Sequence, residues 1–209
     1  MNYREILWYG VYSELRTEIA RRFLGFLWWI IEPIMYMAVF YVVFGMALRQ
    51  GGVDYVPFLL SGMIAWKWFD GSVRQASVSI PMNAGLVQQI YVPKFLFGLI
   101  QIFSNTFKFL IVLFLLLVFL LLTGKVPSVE WLGLVPVILT QLLLIIAVGL
   151  LLAAVIPFAQ DLKLVVDNLL MLMMFMSGIF FSADQVPESM RAAFEFNPMV
   201  LLISAYRDV

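Results

Sequence analysis

The sequence contains no cysteine and no histidine, and charged residues make up only 12% of its 209 positions. The lack of cysteine excludes disulfide bonds, thiolate nucleophiles and cysteine-ligated metal sites. The lack of histidine removes the commonest general base and the commonest metal ligand. A glycine-rich loop of the form G-x-x-x-x-G-K-[ST] is also missing, so we expect another chain to supply any nucleotide energy. We therefore expect a chain that is not an enzyme and holds no metal or cofactor.

Apolar residues are abundant instead: 64% of the chain is hydrophobic and its mean hydropathy is +1.00. A soluble domain is about half apolar and about a quarter charged. Charge-free stretches such as Trp131–Ala159 can cross a hydrocarbon core of about 30 Å. A transmembrane barrel would alternate polar and apolar residues, which this sequence does not. The composition predicts an all-α fold, a polytopic membrane-embedded helical bundle that forms a single transmembrane domain over residues 1–209.

The N-terminal segment, residues 1–22, differs from the rest because it carries seven charged residues. Its aromatic and aliphatic residues recur at spacings of three and four, which places them on one helical face: Trp8, Tyr12, Leu15, Ile19 and Phe23. The pattern favours an amphipathic helix that lies in the membrane interface. A short soluble helix packed on a partner is the alternative. Glu18 and Arg22 are predicted to form an i,i+4 ion pair.

Five membrane spans are predicted, at residues 26–48, 55–78, 95–122, 131–158 and 162–181, with residues 182–209 following on the outer side. With a cytoplasmic N-terminus, the inner segments hold seven lysines and arginines, and the outer segments hold four. Because cytoplasmic loops are enriched in these residues, the N-terminus is predicted to be cytoplasmic.

Charged and aromatic residues inside the spans are candidates for a substrate path, because ionisable side chains rarely face lipid. The candidates are Glu32, Tyr36, Tyr41, Trp66, Lys67, Trp68, Asp70 and Lys108. For Lys67 and Asp70, a mutually neutralising pair that stabilises the bundle is the favoured alternative. For Lys108, about 20 Å along the third span and with no acid at i±3 or i±4, the path is favoured. Glu32 precedes Pro33 and could equally mark a helix kink.

The longest predicted cytoplasmic connector runs from Pro81 to Lys94. Asn83 is a suitable cap for a short helix over Ala84–Tyr91, before Pro93 redirects the chain. Taken alone, this segment reads as an ordinary interhelical loop.

Several local patterns occur in one order along the chain: G-F-L-W-W-I-I-E-P at 25–33, G-M-I-A-W-K-W-F at 62–69, N-A-G-L-V at 83–87 with Y-V-P-K at 91–94, S-G-I-F-F-S at 177–182, and Asn197-Pro198 with Arg207. This combination resembles the permease subunit of a type-2 ABC exporter, of the branch that exports lipid-linked polysaccharides such as O-antigen, capsule or teichoic acid. The resemblance covers essentially the whole chain. It departs in one respect, since six spans and a cytoplasmic C-terminus are expected in that family, and this sequence stops where the sixth span would begin.

The resemblance implies a homodimer in the bacterial cytoplasmic (inner) membrane, associated with ABC ATPase subunits that bind ATP and magnesium. A net charge of zero argues against a nucleic-acid partner. The connector would be a helix that couples to the ATPase through Asn83, Leu86, Val87, Gln88, Tyr91 and Lys94. Short external gate helices would contain Pro187, Arg191, Phe194, Asn197 and Pro198. The alternatives are a type-2 exporter of a drug or other small lipophilic compound, an integral membrane enzyme that modifies lipids, and a scaffold or channel that needs no ATPase.

Overall fold

The computed structural model describes residues 2–43, 55–89, 92–124, 129–181, 194 and 196–208; for Met37, Phe40 and Glu130 it describes the backbone alone. Every regular element in these ranges is helical, which confirms the predicted all-α fold. The predictions made for Tyr91, Pro187 and Arg191 lie outside the described residues.

Nine α-helices are described, and we number them in chain order. They are α1 (Tyr3–Arg21), α2 (Trp28–Phe40), α3 (Tyr55–Ser77), α4 (Ser79–Met82), α5 (Ala84–Gln89), α6 (Phe95–Leu122), α7 (Leu134–Val155), α8 (Leu162–Phe175) and α9 (Pro198–Asp208). A 3₁₀ turn at Gly25–Leu27 precedes α2, and two others, Val129–Gly133 and Ile156–Phe158, flank α7.

Three helical segments among the described residues are long and apolar enough to cross a membrane: Gly25–Val43, Phe95–Leu122 and Trp131–Phe158. They coincide with the first, third and fourth predicted spans. The second predicted span is the 23-residue helix α3, which is less apolar because it contains Lys67, Asp70 and Arg74. The fifth begins at the predicted residue, but its helix α8 ends after 14 residues.

The chain divides into two compact units. The first unit takes its described residues from Met1–Phe26, Trp68–Phe109 and Gln141–Leu170, and the second takes them from Leu27–Lys67, Leu110–Thr140 and Met171–Val209. Helices α3, α6, α7 and α8 each contribute one part to each unit.

Small residues bring three helices together in the first unit. A Cβ atom added to Gly149 of α7 would lie 3.2 Å from the Cβ of Ala76 on α3 and 3.2 Å from Cδ1 of Ile102 on α6. A Cβ added to Gly98 of α6 would lie 2.8 Å from Cδ2 of Leu150. Close approach at small residues is a common basis of helix association in membranes, where lipid tails compete with every apolar side chain. The small-residue spacing Gly149-x-x-x-Ala153 permits a close contact of this kind, although such spacing is common by chance.

The second unit has its own apolar core, in which the first half of α3 packs with α9 and the turn after α8. The buried side chains there include Leu59, Ile179, Met199 and Ile203. The turn places Gly178 at φ +69°, a left-handed backbone conformation that glycine adopts without a steric penalty. It directs the carbonyl groups of this turn toward α9, where Arg207 binds them.

Candidate functional site

Lys67 of α3 contacts two residues of α2 in the second unit. Its Nζ lies 3.0 Å from Oε1 of Glu32 and 3.5 Å from the ring centroid of Tyr36. Glu32 and Tyr36 are four residues apart, which places them on the same face of α2. The side chains of Lys67 and Glu32 are 42% and 49% exposed. We call Glu32, Tyr36 and Lys67 the Lys67 cluster.

The neutralising pair predicted between Lys67 and Asp70 does not form, which corrects that sequence-based alternative. Lys67 pairs with Glu32, whereas Asp70 accepts a 2.8 Å hydrogen bond from Nε of Arg74, one helical turn further along α3. Asp70 and Arg74 have the i,i+4 spacing of a helical ion pair. The sequence therefore carried a signal for the Asp70–Arg74 pair.

Arg74 also connects α3 to α8 within the first unit. Its Nη1 donates to Oδ1 of Asp167, and its Nη2 donates to the backbone carbonyl of the same residue at 3.2 Å. One guanidinium thus holds two carboxylates on two helices. This arrangement stabilises the packing of α8 on α3, and it gives Asp70 a structural partner. Sequence reasoning did not identify Asp167, because its partner is 93 residues away.

The aromatic path candidates separate into buried and exposed groups. Trp66 and Trp68 are buried. Trp68 donates its indole N–H to Oγ1 of Thr106 at 3.2 Å and stacks on Phe109 with ring centroids 4.0 Å apart. Tyr36 and Tyr41 are exposed. Of these four candidates, only the two tyrosines are exposed in the single chain.

Lys108 has a partner that local sequence does not reveal. Its Nζ lies 2.9 Å from Oε2 of Glu18 on α1, 90 residues earlier, and both side chains are about one-fifth exposed (18% and 21%). Lys108 has no acid at i±3 or i±4, as its sequence shows, and its acid comes from another helix. Glu18 also pairs with Arg22 at 3.1 Å, which confirms the predicted i,i+4 pair.

The connector contains the predicted short helix, α5, which ends at Gln89. The backbone carbonyl of Asn83 accepts bonds from the N–H groups of Leu86 and Val87, each at 3.0 Å. The side-chain amide of Asn83 donates to the carbonyl of Ser79 at 2.8 Å, so this side chain binds the preceding helix α4. Leu86 is exposed, as are the polar coupling candidates Gln88 and Lys94.

The described gate candidates lie together at the start of α9 in the second unit. Oδ1 of Asn197 accepts the N–H of Met199 at 3.0 Å, and Pro198 occupies the first helical position. This is the usual N-terminal cap with proline after it, so the Asn-Pro pair sets where α9 begins. The side-chain amide of Asn197 also donates to the carbonyl of Met176 at 3.2 Å. Phe194 packs edge-on against Phe181, with centroids 5.3 Å apart.

Arg207, near the end of α9, binds backbone carbonyls of two other segments. Its guanidinium donates to the carbonyl oxygens of Gly178, Ile179 and Phe58 at 2.9, 3.0 and 3.1 Å. It also lies 3.4 Å above the ring of Phe58. Burial lowers the pKa of Arg207 to about 10, which still leaves it charged at neutral pH. Within the described residues, no group of three or more acidic side chains could hold a metal ion.

Comparison with known proteins identifies the family of this chain. The sequence matches the family described as ABC-2 type transporter over residues 7–209. The chain belongs to this family. It is 26% identical over 198 residues to an O-antigen export system permease protein RfbA of Klebsiella pneumoniae, covering 94% of this chain and 76% of that protein.

Two further relatives extend the comparison. RfbA of Myxococcus xanthus is 29% identical over 209 residues, covering 99% of this chain and 80% of that protein. The polysialic acid transport protein KpsM of Escherichia coli is 26% identical over 200 residues, covering 93% of this chain and 77% of that protein. The chain is thus an ABC-2 permease related to O-antigen and polysialic acid exporters.

Family membership confirms several sequence-based predictions. ABC-2 permeases are multi-pass membrane subunits without catalytic activity of their own, and they partner with an ATPase subunit on which the nucleotide binds. The resemblance inferred from the local patterns is therefore correct at the level of the family.

Proposed function

We propose that this permease moves a lipid-linked polysaccharide of the O-antigen, capsule or teichoic acid type across the bacterial cytoplasmic membrane. It works as a homodimer with ABC ATPase subunits, and its N-terminus is cytoplasmic. The names of its relatives support the substrate class, since they include O-antigen export permeases and a polysialic acid transporter.

The observation that carries this proposal is the exposure of the Lys67 cluster. Lys67 and Glu32 are about half exposed in the single chain, although both belong to helices of an otherwise apolar membrane domain. Contact between such charges and hydrocarbon costs about 2.5–3.5 kcal/mol for each group at the centre of a membrane helix. Water in a path, or a second protein surface, removes that cost. A hydrated glycan requires a path of this polar kind.

The aromatic residues next to the cluster suit the same substrate. Tyr36 and Tyr41 are exposed on α2 and its continuation. Aromatic ring faces pack on the apolar faces of sugar rings, and their hydroxyl groups provide hydrogen bonds. A small lipophilic drug would need neither the ion pair nor these polar tips, and polysaccharide is therefore the preferred substrate.

Coupling to the ATPase is assigned to α5. This helix presents the exposed side chain of Leu86, and a Cβ at Gly85 would meet nothing within 4 Å. An exposed apolar side chain on a short cytoplasmic helix suits a groove in a partner subunit. ATP-driven closure of the two ATPase chains would then push on α5 and open the path.

The homodimer is supported by α2. Among the described side chains of this helix only Trp29 is buried, while Ile34, Met35, Tyr36 and Val39 are exposed. A helix that exposes both charged and apolar residues is better covered by a second subunit than by lipid alone. Disulfide cross-linking between paired cysteines introduced along α2 tests the dimer.

The substrate class is tested by complementation. The permease and its ATPase partner are expressed in a bacterium that synthesises a lipid-linked polysaccharide but lacks the permease that exports it. We expect polysaccharide to appear on the cell surface, detected by antibody on intact cells, and to remain inside when the ATPase is catalytically inactive. Resistance to lipophilic drugs without any surface polysaccharide would instead identify a drug exporter.

A further inference from the structure

Several ion pairs connect different helices in the described structure, and the pair formed by Lys67 is the most exposed of them. Its pair with Glu32 is 42% and 49% exposed, compared with 18% and 21% for Lys108 and Glu18. Arg74 is bound by two carboxylates, and Arg207 is enclosed by three backbone carbonyls. Glu32 is the carboxylate that the described residues bring to Lys67. Lys67 is therefore the cation whose partner an incoming anion can most easily replace.

The energetics of the pair favour such an exchange. An ion pair exposed to solvent contributes little net free energy, because water solvates both charges when they separate. A lysine ammonium is a compact charge on a flexible stem, so it can turn from one anion to another without a change in backbone. The ring of Tyr36 lies under the ammonium at 3.5 Å and favours the cation in either state.

We propose that Lys67 binds an anionic group of the transported molecule, and that this group replaces the carboxylate of Glu32. The anion is a carboxylate of an acidic glycan or a phosphate of the lipid carrier, and the ring of Tyr36 contacts the adjoining sugar. This proposal rests on the proposed function and specifies where the substrate is held.

The exchange has a mechanical consequence. The pair between Lys67 and Glu32 connects α3 to α2, and α2 buries only Trp29 among its described side chains. When an anion occupies Lys67, α2 loses this connection and can separate from α3. Binding of the substrate is then coupled to movement of the first span. In the permease without substrate, the ion pair keeps α2 and α3 together.

The test compares the two partners of the one ion pair. The complex of permease and ATPase is placed in lipid nanodiscs, and binding of radiolabelled probes is measured directly. The probes are oligosialic acid, which supplies carboxylates, and a long-chain polyprenyl diphosphate, which supplies phosphates; uncharged polyprenol is the neutral reference. The variants are Lys67→Gln and Glu32→Gln, and Glu18→Gln is the matched control because Glu18 accepts a similar bond from another lysine.

The expected changes have opposite signs. Lys67→Gln removes a charged donor and should weaken binding of the anionic probe at least about tenfold. Glu32→Gln removes the competing carboxylate and should strengthen it by up to about fivefold. Glu18→Gln should leave it unchanged. The probe that responds identifies the source of the anion, and binding of polyprenol should not respond to any of the three.

A purely structural pair would behave differently, since either substitution breaks the same contact. Changes of the same sign in Lys67→Gln and Glu32→Gln, or no change in either, would overturn the proposal while leaving export by the unaltered permease intact. Unaltered permease that binds neither anionic probe would also overturn it. If polysaccharide fails to reach the cell surface in the complementation assay as well, the proposed function itself is wrong.

Discussion

Arg207 shows how one side chain can close a turn that lies far away in sequence. Its planar guanidinium has five N–H donors in a fixed geometry, and it reaches carbonyl groups at Phe58, Gly178 and Ile179 at once. These carbonyls belong to α3 and to the turn that follows α8. A partly buried cation that is stabilised by carbonyl dipoles has a structural role, because its donors are already in use.

We predict that Arg207→Lys destabilises the permease, although it keeps the charge. An ammonium is a single compact charge and lacks the planar fork whose Nη1 and Nη2 atoms reach the three carbonyls. At least one of these carbonyls therefore loses its bond, at a cost of about 2 kcal/mol. The unfolding temperature in detergent should fall by about 5 °C. Arg16→Lys, at an exposed position of α1, is the control and should change little. An unchanged unfolding temperature for Arg207→Lys would mean that the carbonyl bonds are dispensable.

The pair between Lys108 and Glu18 leads to a prediction about coupling. Because each residue is the other's partner, the effects of Lys108→Met and Glu18→Gln on stability should not add. A double-mutant cycle should give an interaction energy of about 1 kcal/mol, within the range found for residues in contact. Chemical denaturation of the purified permease measures it. If the two effects on stability add, the two side chains do not interact. Lys108 would then again be a candidate for the substrate path.

The pairings also show what sequence could and could not predict at this scale. Glu18 with Arg22 and Asp70 with Arg74 follow from i,i+4 spacing on a helix, because a helix fixes which residues are neighbours. Lys108 with Glu18 and Lys67 with Glu32 join different helices, 90 and 35 residues apart. Such pairs depend on how the helices pack, and hydrophobic periodicity carries no information about that.

Among the elements, α1 packs beside the first half of α6. A Cβ at Gly10 would touch Ile100, and Glu18 binds Lys108, so α1 follows the first half of α6 in the same direction. The 28 residues of α6 span about 42 Å, which exceeds a hydrocarbon core of about 30 Å. Since α1 carries many charges, we expect the part of α6 beside it to lie at headgroup level. Lys108 would then sit closer to the membrane surface than its position along the helix suggests.

Element boundaries were well predicted where long apolar runs end abruptly. The third span coincides with α6, and the fourth coincides with α7 and its two flanking 3₁₀ turns. The fifth was predicted to continue to residue 181, yet α8 ends at Phe175. Apolar residues continue beyond that point, but Gly178 adopts a positive φ and the helix gives way to a turn. Hydrophobicity alone could not show that this apolar segment packs as a turn.

Two glycines of α3 provide a matched comparison of helix packing. A Cβ at Gly62 would lie 2.8 Å from Nη2 of Arg207 and 3.4 Å from Cα of Ile179, whereas a Cβ at Gly71 meets only Asn105 at 4.0 Å. Gly62→Ala should therefore destabilise the permease by about 1–3 kcal/mol, since neither neighbour can move freely. Gly71→Ala should be neutral or stabilise by up to about 1 kcal/mol, because alanine favours helix. Equal unfolding temperatures for the two variants would contradict this packing.

The connector provides a prediction about energy coupling. Leu86→Asp combined with Val87→Asp would place charges in the groove where α5 is proposed to bind, and an unpaired buried charge costs about 3–5 kcal/mol. Association with the ATPase, measured by pull-down, should be lost, while membrane insertion stays normal. Gln160→Asp is the control. It lies between the fourth and fifth predicted spans, a turn that the predicted topology also places in the cytoplasm, and this variant should retain the ATPase. Unchanged association in the double variant would remove α5 from the coupling interface.

For the whole molecule, the distribution of lysine and arginine predicts which end of each span faces the cytoplasm. The bias is seven to four in favour of a cytoplasmic N-terminus, and it depends on all five predicted spans crossing the membrane. Two of those spans, α3 and α8, are more polar or shorter than the others. In α3, Lys67, Asp70 and Arg74 form ion pairs that neutralise their charges. These contacts within the protein compensate for the low hydropathy of the helix. The predicted topology therefore depends on packing as well as on composition.

This topology predicts which positions reagents can reach, and the absence of cysteine makes the experiment free of background. Val129→Cys, at a highly exposed position after α6, should react with a membrane-impermeant maleimide in intact cells. Gly85→Cys, in the open part of α5, should react only after the membrane is permeabilised. Ile145→Cys, at a fully buried position of α7, should not react in either case. The reverse pattern for Val129→Cys and Gly85→Cys would invert the topology and place α5 on the side away from the ATPase, where coupling through it is impossible.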